Sequence, residues 1–281
     1  MGRHHIEFVQ AQALPWQNGV AGGSARLDVE TKTLSIDRNT GAATCIVRYP
    51  AGWTRDAPES LTTDEEFYVL DGALTINAIE YGPDTYAHLP AGFERECAVA
   101  PDGAVALTFF DGPVDRSLRQ GPGFREDRLV TKVSAAEGDW GNADVDAMGL
   151  TEVSSTSRLL SLFTDPVGGD ISYLAGVVPF KPIAPPERHP VVQEFYVLGG
   201  TLAGNCGIMQ AGAYCWRPPM VTHGPYGSPT GALIFLRSVG GPLTTELDAP
   251  VPHTYQPEHK PVLPPELAAC GATPLAALPR Y

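Results

Sequence analysis

Glu66-Phe67-Tyr68-Val69-Leu70-Asp71-Gly72 returns 128 residues downstream as Glu194-Phe195-Tyr196-Val197-Leu198-Gly199-Gly200. The register holds without a gap from Glu59/Glu187 through Tyr86/Tyr214 and Pro90/Pro218 to Gly103/Gly231, with 13 identities in 45 positions, more than chance allows at one fixed offset. A weaker echo, Leu34-Ser35-Ile36-Asp37 and Leu160-Ser161-Leu162-Phe163, follows after a two-residue shift. The chain reads as a duplicated domain. In each copy, runs of β-branched and aromatic residues (44–49, 67–70 and 104–110 in the first) alternate with Gly, Pro and Asp turns. That spacing predicts an all-β sandwich or small barrel, twice, with few short helices; the best helical candidate is one turn at 134–137.

Composition narrows the function classes. A net charge of −13 removes the electrostatic attraction that dominates nucleic-acid binding and repels anionic lipid, so neither partner is expected. The five cysteines, an odd number without a CxxC pair, read as reduced thiols, which makes cytoplasmic residence the default. No stretch approaches the roughly 20 apolar residues of a membrane span, and the N-terminus lacks the apolar core of a signal peptide. No Gly-rich loop joins a strand to a helix, so no nucleotide cofactor is indicated. The expected divisions are a first barrel at 1–125, a second at 126–241 and a proline-rich arm at 242–281, extended over a domain.

The chemistry concentrates in the second copy. Glu187, His189 and Gln193 share parity on an extended segment and can point inward together, whereas Glu194 faces away unless Pro190 shifts the register. His223 arrives from a later strand. Glu187-Arg188-His189-Pro190-Val191-Val192-Gln193, then Gly200, Gly212, Pro218 and His223, resemble the two motifs of the cupin superfamily. Glu187 stands for the first histidine of that pattern, Gln193 for its acidic residue, and Met220 for the glycine after the proline. The resemblance implies two tandem antiparallel jelly-roll (cupin) barrels, a bicupin, each able to hold one metal on inward side chains. Glu187, His189, Gln193 and His223 are the candidate ligands, with Glu194 the alternative to Gln193. Such a set leaves open positions on a divalent ion, which means catalysis rather than structure.

The first copy has Glu59, Leu61, Glu65 and Arg95 at the corresponding positions, and leucine and arginine ligate no metal. Arg95 is expected to meet Glu59 or Glu65 in an ion pair that fills this dead site. His4, His5, His88, His253 and His259 show no ligand spacing and read as surface or loop residues. Tyr196, Tyr214, Cys215, Trp216, Arg217, Tyr226, Phe163 and Phe180 are candidate pocket residues. Arg217 and Tyr214 are the catalytic candidates, Arg217 either as the holder of an anionic substrate group or, equally, as a bridge to an acidic surface residue.

Two histidines and a carboxylate match the needs of non-haem Fe(II) oxygen chemistry. By resemblance to acetylacetone dioxygenase-like cupins, the leading expectation is a dioxygenase cleaving a small diketone, hydroxyketone or phenol. Zn, Mn or Ni at the same site would instead support a hydrolase, lyase or isomerase, and ureidoglycine aminohydrolase is a bicupin that the chain resembles in its Glu-x-His motif. A metal-free binder or structural bicupin is the third alternative. A homodimer is expected, because cupin barrels commonly pair and exposed β edges need cover.

Overall fold

The repeated run forms the middle of a sheet in each half of the chain. Glu65–Gly72 lies between Thr85–Leu89 and Ala104–Phe110, and Val192–Gly204 lies between Ala213–Arg217 and Ala232–Val239, all antiparallel. The structure is a computed structural model that describes residues 2–21, 23–117, 123–141, 157–182 and 185–271. Alternation sorts the faces: Phe67 and Val69 enter the core of the first unit, and Phe195 and Val197 that of the second. Leu70 and Leu198 are skipped in the pairing with the next strand, so the same bulge recurs in both copies. Two residues on, Gly72 and Gly200 have φ of +67° and +73°. A Cβ there would lie 2.2 and 2.0 Å from the carbonyl oxygens of Gly103 and Gly231, which explains why glycine stands at both positions.

The first unit comprises Met1–Arg3 and Leu14–Gly138. A seven-stranded antiparallel sheet and a four-stranded one share its core, from Val47, Phe67 and Leu89 across to Trp53, Ile76 and Tyr81. The second unit comprises His4–Ala13 and Asp139–Tyr281, with its own seven-stranded sheet. These are the two jelly-roll barrels of an all-β chain.

The expected division at 125/126 differs from this arrangement. Ile6–Gln10 pairs with Ala213–Arg217 in the second unit, whereas Val130–Ser134 pairs with Thr85–Leu89 in the first. The registers correspond, Val9 opposite Tyr214 and Val133 opposite Tyr86. Each edge strand therefore precedes one repeat in sequence and completes the barrel of the other. Close to the expected boundary, Arg116–Ser117 still pairs with Ser60–Leu61 inside the first barrel.

Among the described residues there is no α-helix, only the 3-10 turns Ala11–Ala13, Glu126–Arg128 and Pro265–Cys270. Among the described residues no helix is long and apolar enough to cross a membrane. The segment at 134–137 is a single turn closed by Glu137 N–H on the Ser134 carbonyl. In the proline-rich region Glu246–Leu247 pairs with Glu187–Arg188, and Val262 exchanges two backbone hydrogen bonds with Glu7. The rest of that arm, 272–281, lies outside the described residues.

Candidate metal centre

Glu187 and His223 face each other across an antiparallel bridge with two backbone hydrogen bonds, both 2.9 Å. That bridge fixes their side chains on one point inside the second barrel. His189 joins them two residues after Glu187, and the ligating atoms of the three all lie within 4.8 Å of one another. Both imidazoles are oriented from behind: His189 Nδ1 is 3.0 Å from the Thr244 carbonyl, and His223 Nδ1 is 2.9 Å from the Val221 carbonyl. A carbonyl only accepts, so Nδ1 carries the proton in each ring and the Nε2 lone pair points inward.

Those inward atoms are short of partners. Glu187 Oε1 is 3.5 Å from His223 Nε2 and 3.9 Å from His189 Nε2, too far for good hydrogen bonds. Glu187 Oε2 and His223 Nε2 are buried with no hydrogen-bond partner at all. Orphaned buried acceptors converging on one point are costly unless something positive fills it, and two imidazoles with a carboxylate suit a divalent transition metal. Burial pushes the Glu187 carboxyl up, but His223, with His189 and Arg217, brings it below the usual carboxylate range. Burial lowers His189, which keeps it neutral, the state a ligand needs.

Gln193 lies on the same face, as parity required, 4% exposed, while Glu194 faces the other way. Its oxygen, however, accepts from Arg217 Nη1 at 2.9 Å, and its amide nitrogen lies 3.1 Å from His189 Nε2. Arginine cannot accept a hydrogen bond, so this orientation of the amide is set. Gln193 thus turns its N–H, not its oxygen, toward the expected metal position, which corrects its expected role as a ligand.

Arg217 takes the second of its two expected roles, pairing with an acidic residue, here a buried one. Its Nε donates to Glu7 Oε2 at 2.6 Å and its Nη2 to Glu7 Oε1 and the Tyr226 hydroxyl. Burial would raise the Glu7 carboxyl, yet Arg217 outweighs this and holds it at about 2. The guanidinium is neutralised, so it is not available to hold an anionic substrate. Tyr214 is not at the site either: it sits on the opposite face of its strand and donates to Glu194 Oε2 at 2.6 Å.

Beside the metal position lies a cavity of about 70 Å³. Glu187, Gln193, Arg217 and Tyr226 form its polar end, and Leu159, Tyr173, Phe195, Leu202, Ile234 and Leu236 are among its apolar walls. Of the expected pocket residues only Arg217 and Tyr226 line it; Phe180 is 70% exposed. Phe195 was legible from its parity with Gln193. Glu7 was not, because only long-range pairing brings it here.

The corresponding point of the first barrel is occupied. Arg95, 1% exposed, donates to Glu65 at 2.7 Å, as expected. Arg26 pairs with Glu59 and lies 3.8 Å from Glu65, and Arg116 reaches Glu59 at 3.1 Å. Arg26 escaped the sequence reading because it lies outside the repeat. His88 is a further correction, being a buried strand residue 3.5 Å from Asp64 rather than a surface one.

Residues 4–115 match the family described as ChrR Cupin-like domain. No curated protein matches the chain. Among solved structures, a "putative dioxygenase" from Nostoc punctiforme is similar at a TM-score of 0.78 and 19% identity, over 89% of this chain and 92% of that one. Oxalate decarboxylase from Bacillus subtilis is similar at 0.52 and 12%, over 86% and 78%. Vicilin from Corylus avellana is similar at 0.55 and 9%, over 84% and 86%. A decarboxylase and a vicilin on one frame are likenesses of fold, and the fold alone does not carry the function.

Proposed function

We propose, for a chain that belongs to the cupin superfamily, that the second barrel holds one divalent transition metal on Glu187, His189 and His223. On this reading the protein is a metal-dependent enzyme acting on a small organic molecule, best fitted by a non-haem Fe(II) dioxygenase cleaving a diketone, hydroxyketone or phenol. The observation that carries the reading is the convergence of inward lone pairs, two of the buried atoms unmatched, at the polar end of an apolar cavity. The likeness to the Nostoc punctiforme protein lends support.

When bound, such an ion polarises oxygen ligands and, as Fe(II), lets substrate and O₂ share one centre. Glu187 supplies one negative charge, which leaves the centre net positive and suited to an enolate or phenolate oxygen. Thr244 and Val221 carbonyls hold the two imidazoles in the ligating tautomer. The apolar walls exclude water and orient the carbon skeleton, while Arg217, already paired with Glu7, adds no free charge.

The test is metal analysis of protein purified without chelator, beside His223→Ala, followed by oxygen uptake on β-diketones and phenols. Near-stoichiometric iron, lost in the variant, with uptake on one substrate is the expected result. Zinc, manganese or nickel without uptake would move the assignment to hydrolase, lyase or isomerase chemistry. No metal at all would overturn it.

A further inference from the structure

The amide of Gln193 is held between a donor and a lone pair. On one side Arg217 Nη1 donates to its oxygen; on the other its nitrogen meets His189 Nε2 at 3.1 Å. Glu7 grips Arg217 with both carboxylate oxygens, and Tyr226 adds a further contact, so the guanidinium has no freedom to release the amide. All four side chains are buried. The His189 lone pair cannot serve a metal and an N–H at once. Once it is given to the ion, the Gln193 N–H is left buried beside the centre and needs another acceptor.

Resting on the reading that Glu187, His189 and His223 bind a metal, we infer that Gln193 is a hydrogen-bond donor to the incoming ligand on that metal, not a ligand itself. The class of ligand selected is an acceptor at the metal: hydroxide, an enolate or phenolate oxygen, or a small anion. Glu7 and Arg217 fix which way the donor faces.

The test uses the full chain loaded with Co(II), with azide as the anion probe followed by visible absorption, in wild type, Gln193→Leu and Gln193→Asn. Each is expected to bind one Co(II), while azide binding weakens at least about 10-fold in both variants, as for loss of a hydrogen bond to a charged group. Azide affinity equal to wild type overturns the inference. So does loss of Co(II) binding in a variant that is folded by circular dichroism, since Gln193 would then be a ligand. A wild type that binds no Co(II) refutes the metal reading itself and is told apart by that. Independently of any variant, azide added to the Zn(II)-loaded, ¹⁵N-glutamine-labelled wild type is expected to move one side-chain amide proton downfield; no shift overturns the inference.

Discussion

Glu59 and Arg95 exchange two backbone hydrogen bonds at 3.0 and 2.8 Å, and Glu187 and His223 do the same at 2.9 Å. The backbone of the two barrels at this point is one design. In the first barrel the side chains answer each other, with Arg26 and Arg95 matched to Glu59 and Glu65. In the second, two histidines and a glutamate converge with atoms left unmatched. A duplicated frame thus neutralises its buried carboxylates internally in one copy and, in the other, leaves a carboxylate oxygen and an imidazole nitrogen buried without a hydrogen-bond partner.

The sharpest way to break this comparison is Arg95→Met. Glu65 would lose its close partner and keep only Arg26 at 3.8 Å, so urea denaturation is expected to show a loss of about 3 kcal/mol, the usual cost of breaking a buried pair. A loss well below that would deny the pair its role in the first barrel. Glu187→Gln should act differently. Metal-free protein is expected to lose much less than Arg95→Met does, because Glu187 Oε2 has no hydrogen-bond partner to forfeit and only the favourable field that lowers its carboxyl is given up, while Zn(II) affinity in a chelator competition falls about 100-fold, or ~2.7 kcal/mol. Equal destabilisation of both variants without metal would erase the distinction between the barrels.

Acid sharpens the contrast further. The Glu7 carboxyl is held at about 2, so the stability it contributes is complete above the ordinary carboxylate pKa and is lost as pH falls through about 2. Glu59 shifts in the same direction, burial being outweighed by Arg26 and Arg116. Glu7→Gln is expected to flatten the fall of the urea midpoint between about pH 5 and about pH 2 only in part, with Glu59 and Glu187 among the groups that supply the remainder. An unchanged slope would show that Arg217 does not stabilise the Glu7 charge.

The smallest effect concerns one residue of the turn before His223. Met220 has φ +66° where the first copy has Gly92 at +78°, and their amides bind the His189 and Leu61 carbonyls respectively. Met220→Gly is expected to raise stability by about 1 kcal/mol and Gly92→Met to lower it by a similar amount, measured as a shift in thermal midpoint. No gain in the first variant would mean that the exposed methionine side chain makes up for its strained backbone.

Much of this was legible because it is local. Alternation along the strand put Glu187, His189 and Gln193 on one face and Glu194 on the other, and the repeat itself exposed the contrast between Arg95 and His223. What parity could not say is which end of the Gln193 amide faces the centre, since that depends on Arg217, and Arg217 depends on a glutamate far away in sequence. Tyr214 shows the same limit from the other side. It was a catalytic candidate together with Arg217, but the two lie three residues apart on one strand, an odd separation that puts their side chains on opposite faces.

Glu7 and Arg217 are separated by 210 residues along the chain. As the polypeptide is synthesised, Ile6–Gln10 emerges early, with Ile6, Phe8 and Val9 destined for burial, and its partner Ala213–Arg217 is among the last strands made. The first barrel can complete its sheet as soon as Val130–Ser134 has emerged, while Ile6–Gln10 still lacks its partner strand. The edge of the second barrel therefore closes only after residues 210 positions apart have been made, and that pairing delivers the carboxylate that sets Arg217 in place.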